Sequence, residues 1–162
     1  MNGAAWTLGA VAGLAVAGLA RRGARNYTPM RWEVGDEDDL DMEASGGLMD
    51  AVSAVRHGLE LSGQGSLPSD EIAAHWSRIG VSPTRRALYL HDVTVAPHLR
   101  GKGAGRRYIE RIEADARRED ASVIVLHAYD SLGFWTKQGY ALWPDPPAER
   151  PETSALLYKV LG

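Results

Sequence analysis

The chain has 162 residues, about one typical domain, and its formal net charge of −3 is too small to mark a nucleic-acid scaffold or an acidic tail. It contains no cysteine, which excludes disulfide staples, thiolate metal sites and a cysteine nucleophile, and fits a cytoplasmic setting.

In chain order, residues 4–20 carry no charge and run directly into Arg21, Arg22 and Arg25. Nothing basic precedes them except the terminal amine, which speaks against a cleavable signal peptide. A spanning helix needs roughly 20 apolar residues, and this run is slightly short and mostly alanine and glycine, with Gly9 and Gly13 as a small-xxx-small pair. It reads as an apolar helix that either anchors the chain in a membrane or packs on a protein partner. In a membrane, the arginines behind it would leave the folded domain on the cytoplasmic side. Arg21 to Pro29 read as a hinge, so the organisation is residues 1–29 as helix and hinge and residues 30–162 as the folded domain.

Met30, Trp32 and Val34 alternate with charged residues, the period of a short strand. Asp36 to Asp41 form a carboxylate run without the spacing of a calcium loop, and a solvated loop or helix start is expected there. No metal site is expected. Leu48, Val52, Val55 and Leu59 recur at helical spacing, as do Ile72, Ala73, Trp76 and Ile79. Leu88 to Val95 read as a strand with Tyr89, His91, Val93 and Val95 on one face and Asp92 on the other. Tyr108, Ile109, Ile112 and Ala116 stripe an amphipathic helix over Ala104 to Glu119. Val123 to Leu126 are an unbroken apolar run suited to a strand covered on both sides. Strand, helix and strand predict a parallel βαβ unit. A short helix over Ser131 to Gln138, stopped by Gly139, and strands over Tyr140 to Trp143 and Ala155 to Leu161 complete the series.

The chemistry concentrates in the loop from Val95 to Arg106, where Arg100, Gly101, Lys102, Gly103, Ala104, Gly105 and Arg106 join a strand to a helix. Glycines let backbone approach a ligand closely, and the N–H groups opening a helix favour an anion such as a pyrophosphate. Arg100, Lys102, Arg106 and Arg107 add positive charge. The spacing RxxGxG is neither a Walker loop nor the GxGxxG dinucleotide fingerprint. A glycine-rich turn with solvated arginines remains the plain alternative.

This loop resembles motif A of the GCN5-related N-acetyltransferase superfamily, Q/R-x-x-G-x-G/A. Ser131-Leu132-Gly133-Phe134-Trp135-Thr136-Lys137-Gln138-Gly139-Tyr140 is similar to a second motif of that superfamily, A-x-x-F-Y-x-x-x-G-F, and follows in the right order. The resemblance covers roughly residues 86 to 162. It implies a mixed α/β sheet with a parallel βαβ core, behind the N-terminal apolar helix. It also implies an acyltransferase that moves an acetyl group from acetyl-CoA to an amine, either a small molecule or a protein, without nucleic acid. Backbone around Val93 and Val95 would hold the pantetheine arm, and Arg100 to Arg106 the pyrophosphate. His91 stands where arylalkylamine N-acetyltransferases also have histidine, and an imidazole suits general base catalysis at neutral pH; a packed strand histidine is the plain alternative. Two departures stand out. Trp135 occupies the place of a tyrosine that often protonates the leaving thiolate, which leaves Tyr129 or Tyr140 as substitutes. No pair of alternating strands separates the predicted middle helices from Leu88. The rival reading is a non-catalytic module that keeps the fold for binding within an assembly.

Overall fold

The computed structural model describes residues 27–36, 39–62, 67–144 and 154–162. The chain begins with strands β1 (Thr28–Asp36) and β2 (Asp39–Asp50), followed by helices α1 (Ala51–Ser62) and α2 (Ser69–Arg78). Strand β3 (Arg86–Val95), a 3-10 turn (Pro97–Leu99), helix α3 (Ala104–Arg118) and strand β4 (Ala121–Tyr129) come next. Helix α4 (Leu132–Lys137) and strands β5 (Ala141–Leu142) and β6 (Ser154–Val160) close the chain. The described strands form a single sheet in the order β1-β2-β3-β4-β6-β5. Only β3 and β4 run parallel; the other neighbours are antiparallel. The expected βαβ unit is therefore β3-α3-β4.

The first half departs from expectation. Of the carboxylate run, Asp36 ends β1 and Asp39 to Asp41 open β2 rather than a helix, and β2 passes on through Leu48, which sits in the sheet core rather than on a helix. Its sequence, with Ala44, Ser45, Gly46 and Gly47, is a weak strand former. Pairing supplies what propensity lacks, because β2 is laddered to β1 on one edge and to β3 on the other. This hairpin precedes the two helices, and residues 79–85 between α2 and β3 contain no strand. The helix expected over residues 4–20 lies outside the described residues. Among the described residues no helix is long and apolar enough to cross a membrane.

Each sheet face is packed by its own helices. Leu88, Leu90, Val93, Ile124, Leu126 and Ala128 meet Tyr108, Ile109, Ile112 and Ala116 of α3 on one face. Ala87, Tyr89, Val123 and Val125 meet Ala54, Val55 and Leu59 of α1 and Ile72 and Trp76 of α2 on the other. Truncating a fully buried isoleucine, Ile112 in the α3 layer or Ile72 in the α1 and α2 layer, costs about 2–5 kcal/mol. Two polar tips inside these layers are matched: Tyr108 Oη donates to Trp32 O at 2.7 Å, and Trp76 Nε1 donates to Ala51 O at 2.9 Å. Asp50 opens α1 by accepting from Ser53 N at 2.8 Å. Gly58 lets α1 lie directly on the sheet, since a methyl there would stand 2.4 Å from Leu156 Cδ1 and 3.1 Å from Tyr89 Cε2.

Candidate active site

The register between β2 and β3 slips at one point. Ser45 faces Asp92 while Gly46 faces Leu90, so His91 is an extra residue, a β-bulge. Directly opposed residues in an antiparallel pair share a face. Val93 and Val95, opposite Ala44 and Met42, therefore lie on the α3 face, and Asp92, opposite Ser45, lies on the α1 face. The simple alternation expected for this strand does not hold: His91 packs with Tyr89 on the α1 face, at 4.9 Å between ring centroids, apart from Val93 and Val95. Asp92 joins that face instead of opposing it.

The same point marks the end of the parallel ladder. Pairing between β3 and β4 stops at Leu90 and Leu126, although the strands continue to Val95 and Tyr129. Beyond Leu90, β3 keeps its pairing with β2 on one edge and has no ladder partner on the edge toward β4. A bulge bends its strand, and here the bend coincides with the parting of the two strands.

On the α3 face the loop folds as a cradle. Gly101 and Gly103 adopt φ of 74° and 78°, the left-handed region that glycine enters without strain. Helix α3 opens at Gly103 with no side-chain cap and no acidic residue in its first turn, so its positive end is left for a ligand. A cavity of about 310 Å³ lies there, lined by Val95, Arg100, Gly101, Gly103, Gly105, Arg106, Phe134 and Gln138. Arg100 Nε donates to Val95 O at 3.1 Å, which folds its guanidinium back along the cavity rim and occupies that carbonyl. A Cβ at Gly103 would meet Arg107 Nη1 at 3.3 Å, and one at Gly105 would meet the Phe134 ring at 3.5 Å. Larger side chains would thus fill the space. Bare backbone, a helix N-terminus and two arginines suit a phosphate-bearing ligand of the coenzyme A kind. Lys102 is exposed beside the loop, Ala104 is buried under it, and Val93 is a core residue.

On the α1 face the neighbours are imidazoles and phenols. His57 of α1 lies 5.0 Å from His91 and 4.6 Å from Tyr89, ring to ring, and His127 of β4 lies 4.5 Å from Tyr129. His57 Nε2 and both ring nitrogens of His91 and His127 are buried without a hydrogen-bond partner, at a cost of about 1–3 kcal/mol for each such polar group. Burial lowers His91 and His127 to about 4; burial, with His91 beside it, lowers His57 to about 3. All three rings are neutral at pH 7, and the same burial disfavours their protonated forms.

The two tyrosines separate. Tyr129 ends β4 half-buried on the α1 face, and burial raises its hydroxyl above the ordinary value. Tyr140 is held on the α3 face, where its hydroxyl donates to Glu113 Oε1 at 3.2 Å. Lys159 Nζ donates to both Glu113 oxygens at 3.0 and 3.1 Å and to Gln138 O at 2.8 Å. Burial, with Glu113 beside it, raises the Tyr140 hydroxyl well above 10. Trp135 is fully buried between Phe134 and Tyr140.

The model of the acetyltransferase (GNAT) family matches residues 58–140, just over half of the chain. The chain belongs to that family. No curated protein matches this GNAT chain in sequence. Among solved structures it is similar to an acetyltransferase from Bacillus cereus, at 12% identity and TM-score 0.55, over 94% of this chain and 95% of that one. It is similar to the Drosophila melanogaster polyamine N-acetyltransferase, at 16% identity and TM-score 0.51, over 79% and 72%. Naa20 of Chaetomium thermophilum, solved with a bisubstrate analogue, aligns at 18% identity and TM-score 0.51 over 95% and 75%. At these identities the likeness is one of fold. Within the GNAT chain, sequence reasoning brought Arg100, Gly101, Gly103, Gly105 and Arg106 to one cavity, and missed Gln138, His57 and His127. Glycine at position 58 inside an apolar helix was the available signal for His57, and the Tyr129-minus-two spacing on a strand the signal for His127.

Proposed function

We propose that this GNAT chain is an N-acetyltransferase that moves an acetyl group from acetyl-CoA to an amine by direct attack. The observation that carries the reading is the parting of β3 and β4 beyond Leu90, with a glycine-arginine cavity on one side and His91 on the other. Arg100, Arg106 and the first turn of α3 would hold the pyrophosphate, while β3 past Leu90, where its ladder with β4 ends, would pair with the pantetheine amides. His91, neutral at pH 7, would take a proton from the acceptor ammonium. The freed nitrogen lone pair then forms the C–N bond as the C–S bond breaks, and the thiolate takes the second amine proton. Tyr129 suits that last transfer better than Tyr140, whose hydroxyl is engaged by Glu113 on the opposite face.

Calorimetric titration with acetyl-CoA, followed by thiol release with a panel of small amines and peptide N-termini, tests this reading. Saturable binding with amine-dependent release is expected, and absence of binding would overturn it. The rival reading, a fold kept for binding alone, draws on the buried indole of Trp135; binding without thiol release from any amine would select it.

A further inference from the structure

Helix α4 and its C-cap supply one wall of the glycine-arginine cavity through Phe134 and Gln138, and α3 supplies the other through Gly105 and Arg106. The walls approach closely where the Phe134 ring passes Gly105. A lysine from neither wall ties them together. Lys159 of β6 donates from Nζ to Gln138 O at 2.8 Å, and to both carboxylate oxygens of Glu113 at 3.0 and 3.1 Å. Glu113 stands about two turns along α3 from Gly105. The lysine stem runs past Gly139, where an added methyl would stand 3.5 Å from Cε, and the ammonium lies 5.6 Å from the centre of the Tyr140 ring. The turn Gln138-Gly139-Tyr140 thus closes around one cation, which also satisfies the carbonyl left open at the end of α4.

Stability alone does not ask for charge here. Glu113 is 5% exposed on the otherwise apolar inner stripe of α3, and a buried ion pair gains little over apolar side chains of similar volume. Apolar contacts lack direction, however. Methyl groups slide past one another, whereas an ammonium held by three oxygens at 2.8 to 3.1 Å fixes the distance and angle between the elements that carry them.

We propose that Lys159, with Glu113 as its counter-ion, is a positioning residue that fixes the end of α4 against α3 and so sets the shape of the cavity that takes coenzyme A. The inference rests on the coenzyme reading of that cavity given above. Neither Lys159 nor Glu113 lines the cavity, so their effect on the ligand passes through Gln138 and Phe134.

The test separates position from stability. In the double variant Glu113→Gln/Lys159→Met both charges go together, the amide still accepts from Tyr140, and no buried carboxylate is left unpaired, so the melting temperature should stay close to that of the wild type. Calorimetric affinity for coenzyme A should nevertheless fall about 3- to 30-fold. With an amine that the wild type acetylates, the loss should appear in KM for acetyl-CoA and not in kcat. A folded double variant with wild-type affinity overturns the proposal, whether or not its melting temperature drops, because the pair is then structural only. Should the double variant not fold, Glu113→Gln alone decides. The Lys159 side chain is 25% exposed and can turn to water once its counter-ion is neutral, so affinity should fall in the same direction, and unchanged affinity overturns the proposal. A wild type that binds no coenzyme A removes the cavity reading, and this inference with it. A wild type that binds coenzyme A but acetylates no amine removes acetyl transfer alone, and the calorimetric comparison still decides the positioning.

Discussion

Where β3 and β4 part, the two faces of the sheet prepare for opposite charges by opposite means. The α3 face offers arginines, glycine backbone and a helix N-terminus in an exposed cradle, a positive site that stays positive at every physiological pH. The α1 face offers imidazoles held neutral by burial, with no cation among His57, Tyr89, His91, Asp92, His127 and Tyr129. Anion binding works at a wet surface because the charge is permanent. On the acetyl-transfer reading proposed above, burial keeps the imidazole of His91 uncharged at rest and makes it a weaker base than an exposed one.

Damage on one face should leave the other's function intact. The largest effect is expected from His91→Ala, with kcat lowered about 10²–10⁴-fold and the calorimetric affinity for acetyl-CoA unchanged. A fall in affinity with kcat preserved would reverse the assignment of the faces. Gly103→Val comes next: a β-branched residue forced to positive φ costs about 1–3 kcal/mol, which is about a 10- to 100-fold loss of coenzyme A affinity if the loop must hold its shape to bind. A folded Gly103→Val protein with wild-type affinity would move the anion site elsewhere.

Acid should strike the α1 face first. The folded state lowers His57, His91 and His127 below the ordinary imidazole value, so the unfolded chain binds more protons between about pH 6.5 and 4. Stability is therefore full above pH 6.5 and lost as pH falls toward 4, by up to about 1.4 kcal/mol per pH unit for each imidazole. Melting temperatures at pH 7 and 4.5 measure this, and a His127→Phe variant should lose less on acidification than the wild type. The smallest effect belongs to Trp135→Tyr. Position 135 is fully buried on the α3 side against Phe134 and Tyr140, so the new hydroxyl stays away from His91, and kcat should change less than about twofold while Tm falls. A clear rise in kcat would mean that thiolate protonation is served from the α3 face.

The second half of the molecule was legible because its signals are local. The amphipathic stripe of Tyr108, Ile109 and Ile112, the loop glycines and Gly139 each act within a few residues of where they stand, and β3, α3, β4 and α4 formed where they were read. The first half was less so. Strand β2 carries carboxylates, glycines, a serine and an alanine that no local rule assigns to a strand, and it exists through ladders made with Trp32 and its neighbours on one side and Val93 and its neighbours on the other. Gly46 shows the dependence, since a methyl there would stand 2.6 Å from Tyr89 O. The cavity could be anticipated residue by residue. The facing of His91 could not, because a bulge is decided by two strands at once, and nothing near His91 announces that its partner strand is one residue short.

That extra residue can be viewed as an insertion. Taking position 91 out on paper leaves Leu90 opposite Gly46, Asp92 opposite Ser45 and Val93 opposite Ala44, an unbroken ladder in which every other side chain keeps its partner and its face. The scaffold is complete without it. One added amino acid thus both bends β3 where its pairing with β4 ends and places an imidazole beside that point, so the gap and the group proposed to work in it would be gained, or lost, together.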